Sequence, residues 1–195
     1  MAITRARTSS VAQGPSTRKT VLGGNDVILG GSYDYIDHAV VGAGGATSVS
    51  FTSIPGTYKH LQIRGIMRSA NSANNPLRFN SDSGSNYTWH QLQGDGSGAS
   101  SYANAPVNGV RWGLNSGNSS YPFATIIDIL DYANTNKYKT VRALSGNDGT
   151  GDTSSRIGLY SGVWMNTANA ITSITITNDG NTMLQHSHFA LYGIK

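Results

Sequence analysis

Beyond residue 43, apolar and polar residues alternate with a period of two, which is the signature of half-buried strands and not of helix faces. Val49 and Phe51 alternate with Ser48, Ser50 and Thr52, and Leu61, Ile63, Gly65 and Met67 with Gln62, Arg64, Ile66 and Arg68. Leu77 and Phe79 predict a short strand after Pro76. Tyr87 and Trp89 begin another, and Val110, Trp112 and Leu114 make a further one. Residues 123–132 are almost continuously apolar, as in a central strand, and Ala133-Asn134-Thr135-Asn136 has the composition of a hairpin loop leading into a strand at 139–144. Next, Ile157, Leu159, Ser161, Val163 and Met165 share one strand face, and Gly158, Tyr160, Gly162 and Trp164 the other. Residues 171–177 are β-branched except for Ser173, and Phe189, Leu191 and Gly193 alternate with Ala190, Tyr192 and Ile194. The sum is eight to ten short strands and no stretch of ten residues with helical periodicity. The expected fold is all-β, an antiparallel β-sandwich of jelly-roll type with an extended N-terminal arm; an up-and-down barrel is the alternative.

The front of the chain reads differently. Residues 1–20 hold Arg5, Arg7, Arg18 and Lys19 and no acidic side chain, which accounts for the whole net charge of +4 and leaves the body neutral. This arm is rich in Ser, Thr, Gly and Ala, and alone it buries too little apolar surface to offset its ordering entropy. A bridging segment, 21–42, carries Gly23-Gly24 and Gly30-Gly31 around the triplet Val27-Ile28-Leu29, which needs a groove or a sheet edge to cover it. The chain therefore divides into an attachment region at 1–42 and a β-sandwich domain at 43–195. Arg5, Arg7, Arg18, Lys19, Val27, Ile28 and Leu29 are the expected partner contacts.

Composition narrows the function. Charged residues make up 12% of the chain, about half the ordinary share, and Glu is absent. Glycine contributes 24 residues, so turns are plentiful. Polar but weakly charged surfaces of this kind suit secreted and virion proteins better than cytosolic enzymes. With no cysteine, disulfides, thiolate chemistry and cysteine zinc sites are excluded. No apolar run is long enough for a membrane span, and the basic start lacks the apolar core of a secretory signal. Four charges without an aromatic among them are a weak nucleic-acid footprint, so docking on an acidic protein surface is the better use.

No catalytic constellation stands out. Nucleophile-elbow, phosphate-loop and zinc-helix motifs are all missing, so no enzyme activity and no cofactor are expected. Asp128 and Asp131 are three apart, which on a strand puts them on opposite faces and fits a strand-end turn. His186 and His188 form an H-x-H pair; on a strand both imidazoles would share a face and reach one metal, as three pairs at a trimer axis would allow. The plain alternative is a polar strand entry beside a turn. Residues 147–152 are oxygen-rich enough for Ca²⁺, though Asp, Asn and Gly are also what tight turns use. The segment 93–101 reads as a flexible loop. Among the aromatic residues, Tyr102, Tyr121 and Tyr160 are candidate glycan contacts, while Trp89, Trp112 and Trp164 are expected to be buried.

Four segments carry a resemblance: 51–64 (FTSIPGTYKHLQIR), 77–87 (LRFNSDSGSNY), 127–139 (IDILDYANTNKYK) and 189–195 (FALYGIK). Together they resemble virion structural proteins of tailed bacteriophages, particularly marine and cyanobacterial ones. The resemblance implies a class of protein and no residue roles. It leads to the expectation of a capsid decoration protein on the outer surface of the virion, a homotrimer whose arm binds the major capsid protein or another virion protein. A tail-fibre or tail-tip domain recognising host glycans is the alternative. Neither nucleic acid nor a membrane is an expected partner.

Overall fold

The computed structural model describes residues 17–22, 25–71, 73–114, 119–147, 149 and 155–195. These residues form fourteen strands: β1 (Thr17–Leu22), β2 (Asn25–Gly30), β3 (Tyr33–Val40), β4 (Ser48–Phe51), β5 (His60–Met67), β6 (Asn74–Phe79), β7 (Tyr87–Gly94), β8 (Ala99–Val107), β9 (Val110–Leu114), β10 (Phe123–Leu130), β11 (Lys139–Asn147), β12 (Arg156–Trp164), β13 (Ile174–Thr177) and β14 (His188–Ile194). There is no helix among the described residues. The all-β sandwich expected from the alternation is what the chain adopts.

Two antiparallel sheets face each other. The large sheet has the order β3-β14-β5-β10-β11-β12-β7-β8, and the small one β4-β13-β6-β9. Apart from the two hairpins β7–β8 and β11–β12, successive strands from β3 to β6 alternate between sheets, as do β9, β10, β13 and β14. The two hairpins extend the large sheet beyond β10 and give the small sheet no strands, so the sandwich has one wide layer and one narrow layer.

The core lies between the layers and is made by the inward half of each alternating pattern. Leu61, Ile63 and Met67 of β5 meet Phe123, Ile127 and Ile129 of β10, Phe189 and Leu191 of β14, and Leu77, Phe79, Ile174 and Ile176 of the small sheet, all buried. Trp112 and Trp164 are buried as expected, and Trp89 is half-buried. On β12 the inward residues are Gly158, Tyr160, Gly162 and Trp164. Gly162 is required by close approach: a Cβ there would run into the Val110 side chain of β9 and sit 2.8 Å from the Thr88 carbonyl oxygen.

Polar pins close the ends of the core. The Trp164 indole Nε1 donates to Asp82 Oδ2 at 2.8 Å, and the Tyr87 hydroxyl donates to the Asp82 carbonyl oxygen at 3.0 Å while accepting from the Phe79 amide at 3.1 Å. Burial pushes the Tyr87 phenol up to about 12. The Tyr132 hydroxyl donates to the Pro55 carbonyl oxygen.

Two expectations are corrected. The segment 93–101 is the end of β7, a tight turn and the start of β8; Asp95 Oδ1 accepts from the Ser97 and Gly98 amides at 3.0 Å each. β8 has no hydrophobic alternation because it is an edge strand whose residues are nearly all exposed, with Pro106 where an unpaired edge tolerates it. The strand expected over 171–177 spans only Ile174–Thr177. Between Thr17 and Gly30 the end of the arm and the start of the bridge lie side by side. They pair as an antiparallel hairpin, with Arg18 opposite Leu29, Lys19 opposite Ile28 and Thr20 opposite Val27.

Candidate functional site

The hairpin extension gives the large sheet an outward face unlike an ordinary solvated one. In β10, β11, β12 and β7 the inward positions fill the core, yet several outward positions are also large and apolar. Ile126, Leu144, Leu159 and Leu92 are successive register partners across these four strands. They form one lateral row, exposed by 42%, 46%, 56% and 53% respectively. A second row runs Ile66, Ala124, Gly146, Ile157 and Gly94, in which Ile66 and Ile157 are exposed. Because Gly146 and Gly94 carry no side chain, the surface sinks beside Ile126 and Ile157 into a groove of about 590 Å³. On the other flank a shallow depression of about 740 Å³ runs past Leu144, Leu159 and Leu92 to Asp128, Arg142 and His90.

A polar row borders the apolar one. Gln62, Asp128, Arg142, Ser161 and His90 are register partners from β5 to β7, with opposite charges side by side on β10 and β11. Asp128 Oδ1 accepts from Gln62 Nε2 at 2.8 Å. Arg64, in line with Ile126, donates from Nε to Gln62 Oε1 at 2.8 Å and sits 5.4 Å and 5.7 Å from the Tyr33 and Tyr192 ring centroids. These contacts hold the guanidinium in place at the end of the apolar row. Monomeric soluble domains rarely leave contiguous apolar surface larger than a few hundred Å² in water. Chemically, this face is suited to packing against another protein surface.

The residues singled out from sequence fall in several places. Arg5 and Arg7 lie outside the described residues. Arg18 and Lys19 are in β1 and Val27, Ile28 and Leu29 in β2, so the basic pair and the apolar triplet are cross-strand neighbours in one hairpin. His186 is not on a strand: it lies in the turn before β14 with φ of 73°, while His188 begins β14. The alternation that would put both imidazoles on one face therefore does not apply. Among the described residues no three His, Asp, Glu or Cys side chains cluster as a metal site. Of the calcium-type loop only Asn147 and Gly149 are described. Asp128 is in β10 and Asp131 is in the turn beyond it, paired with Lys137.

The three tyrosines do not make a platform. Tyr102 is exposed on β8 and Tyr121 is half-buried near Gly149. Tyr160 is 5% exposed, which corrects the expectation of an accessible contact; it is held on the inward face of β12 by the alternation that exposes Leu159. Tyr160 and Tyr102 both flank Gln91, one on each side of β7. The outward apolar row was missed in the sequence, although its signal was there: 123–132 is apolar at successive positions, so a half-buried strand must expose some of them.

No protein-family model matches the chain, and no curated protein matches it. Among solved structures, one titled "Structure of infectious bursal disease virus Gt strain" aligns with 93% of this chain and 47% of its own, at 11% identity and a TM-score of 0.09. The chain thus spans about half the length of that neighbour, and so low a TM-score is no likeness of fold.

Proposed function

We propose that this protein is a structural subunit of a phage virion, a decoration protein that packs on the outside of the head. The observation that carries the reading is the exposed row Ile126, Leu144, Leu159 and Leu92. A solitary domain has no use for such a face, whereas a subunit covers it. The occupant we assign is a second copy of this chain. The apolar side chains are bordered by Asp128 beside Arg142, so a neighbouring copy can set cation against carboxylate without any other partner.

Strand order supports the same reading. With the two hairpins set aside, the large sheet runs β3-β14-β5-β10 and the small one β4-β13-β6-β9. That interleaving is the order a double Greek key would give and supports the reading as a jelly roll, an architecture used by viral capsid and lectin domains. The proposed homotrimer carries three copies of the 1–30 segment, and tethering raises the effective concentration of each weak contact once one has formed. Docking on the coat protein is assigned to this segment, where Arg18 and Lys19 pair with Leu29 and Ile28.

Light scattering on the full chain, with the copy number per purified particle from quantitative mass spectrometry, tests this. A homo-oligomer present at a ratio close to the coat protein's is expected. A monomer in solution contradicts the packing face, and a few copies per particle move the protein to the tail.

A further inference from the structure

The narrow sheet leaves the inward face of β8 uncovered, and a polar cleft of about 180 Å³ opens there between β6 and β9 on one side and β7 and β8 on the other. Its wall includes Asn75, Trp89, Asn104, Asn108, Arg111 and Asp179. At about 30 Å³ per water, the volume suits one small polar molecule and no polymer chain.

Two features of this cleft are unexplained by folding. Asn75 is fully buried, and neither its Oδ1 nor its Nδ2 has a hydrogen-bond partner. A buried amide without a partner is costly to folding and calls for a reason outside it. Arg111, half-buried on β9, lies 4.4 Å from the Trp89 ring centroid and donates from Nη1 to Gln91 Oε1 at 2.9 Å. Gln91 is fixed in turn by donating to Gln93. Burial lowers the Arg111 pKa, and among the described residues no carboxylate lies within ion-pairing distance of it. A cation is thus held beside an indole in the wall of the cleft.

The surrounding groups define the chemistry of the ligand. Asn104, the register partner of Trp89, and Asn108 at the β8–β9 turn are exposed amides, each with donors and an acceptor. Asp179 adds one carboxylate at the rim and weighs against an anion. One carboxylate is too few for a metal, and the amides exclude an apolar guest. Guanidinium and amides supply donors, and amides and one carboxylate supply acceptors, a mixed lining that suits hydroxyl groups, which both donate and accept. We propose that this inter-sheet cleft binds one neutral pyranose, the terminal sugar of a glycan. The assignment is independent of the outward packing face and uses none of Tyr102, Tyr121 and Tyr160.

Titration calorimetry of the full chain with glucose, galactose, mannose and N-acetylglucosamine, run beside glucuronate, tests the proposal. One neutral sugar should saturate a single site with a Kd on the order of 1 mM. Asn104→Ala and Asn108→Ala, both exposed and unable to disturb the core, should each weaken it about tenfold, while Tyr102→Ala leaves it unchanged. Absence of saturation by every neutral sugar up to about 100 mM overturns the proposal. So does tighter binding of glucuronate, or binding that neither Asn variant alters.

Discussion

Leu144 of β11 and Leu159 of β12 are register partners on the outward face of the large sheet, each about half exposed. Replacing both by lysine puts charges where a neighbouring copy packs. We expect L144K/L159K to fold normally, because neither side chain contributes to the core, and to run as a monomer in light scattering. A variant that keeps the parent's mass would show that this face is not the contact.

Truncation separates attachment from folding. Because β1 and β2 pair over their whole length, the cut belongs after Gly30, so that neither strand is left without its partner. A chain starting at Gly31 should keep the circular dichroism of a β-sandwich and lose its binding to phage heads in co-sedimentation. Undiminished binding would remove the 1–30 segment from the docking surface.

The Trp164–Asp82 bond at 2.8 Å makes one loop carboxylate part of core stability. Asp82→Ala strands the buried indole N–H, and a loss of about 1–3 kcal/mol is expected in urea unfolding followed by tryptophan emission. Asp82→Asn keeps an acceptor and should cost less.

The same pair gives a pH dependence. Burial works against the Asp82 charge, but the hydrogen bonds from Trp164, the Gly84 amide and Asn86 outweigh it and hold the carboxyl below its ordinary value. A carboxyl depressed in the folded state contributes stability above its unfolded pKa, and that contribution disappears as the pH falls through the folded one. Unfolding midpoints should therefore drop below about pH 4. Asp82→Asn should flatten part of that drop, leaving the shares of Asp131, held low by the hydrogen bond from Lys137, and of Asp95, held low by those from Ser97 and the Gly98 amide. An unchanged acid profile in the variant would show that Asp82 does not carry it.

Gly162→Ala tests the close packing of β9 on β12. The added methyl meets Val110 and the Thr88 carbonyl, and forced relaxation of this kind costs about 1–3 kcal/mol. Gly42, whose Cβ would meet nothing within 4 Å, is the control and should tolerate alanine.

Alternation alone identified the strands that bury one face. Leu61, Ile63 and Met67, Phe189 and Leu191, and Gly158 to Trp164 all keep the faces that a period of two assigns them, because side-chain direction in a strand is set by local backbone geometry. It did not show which face of β12 turns inward. Tyr160 and Trp164 went to the core and Leu159 to the surface because β9 crosses β12 so closely that only a glycine-punctuated face fits beneath it. Composition hid β8, since an edge strand has no buried side to mark it.

The sites lay further from view. The apolar row needs the register of four strands far apart in the chain, and the polar cleft needs Asn75, Trp89, Asn104 and Arg111 brought together from four strands of two sheets. Local sequence determined that this protein is a β-sandwich whose first twenty residues are basic and whose remaining residues balance in charge, because periodicity and charge are properties of neighbouring residues. Only the tertiary structure decided which apolar residues stay in water and which polar ones are trapped between the sheets, because both depend on how many strands each layer receives.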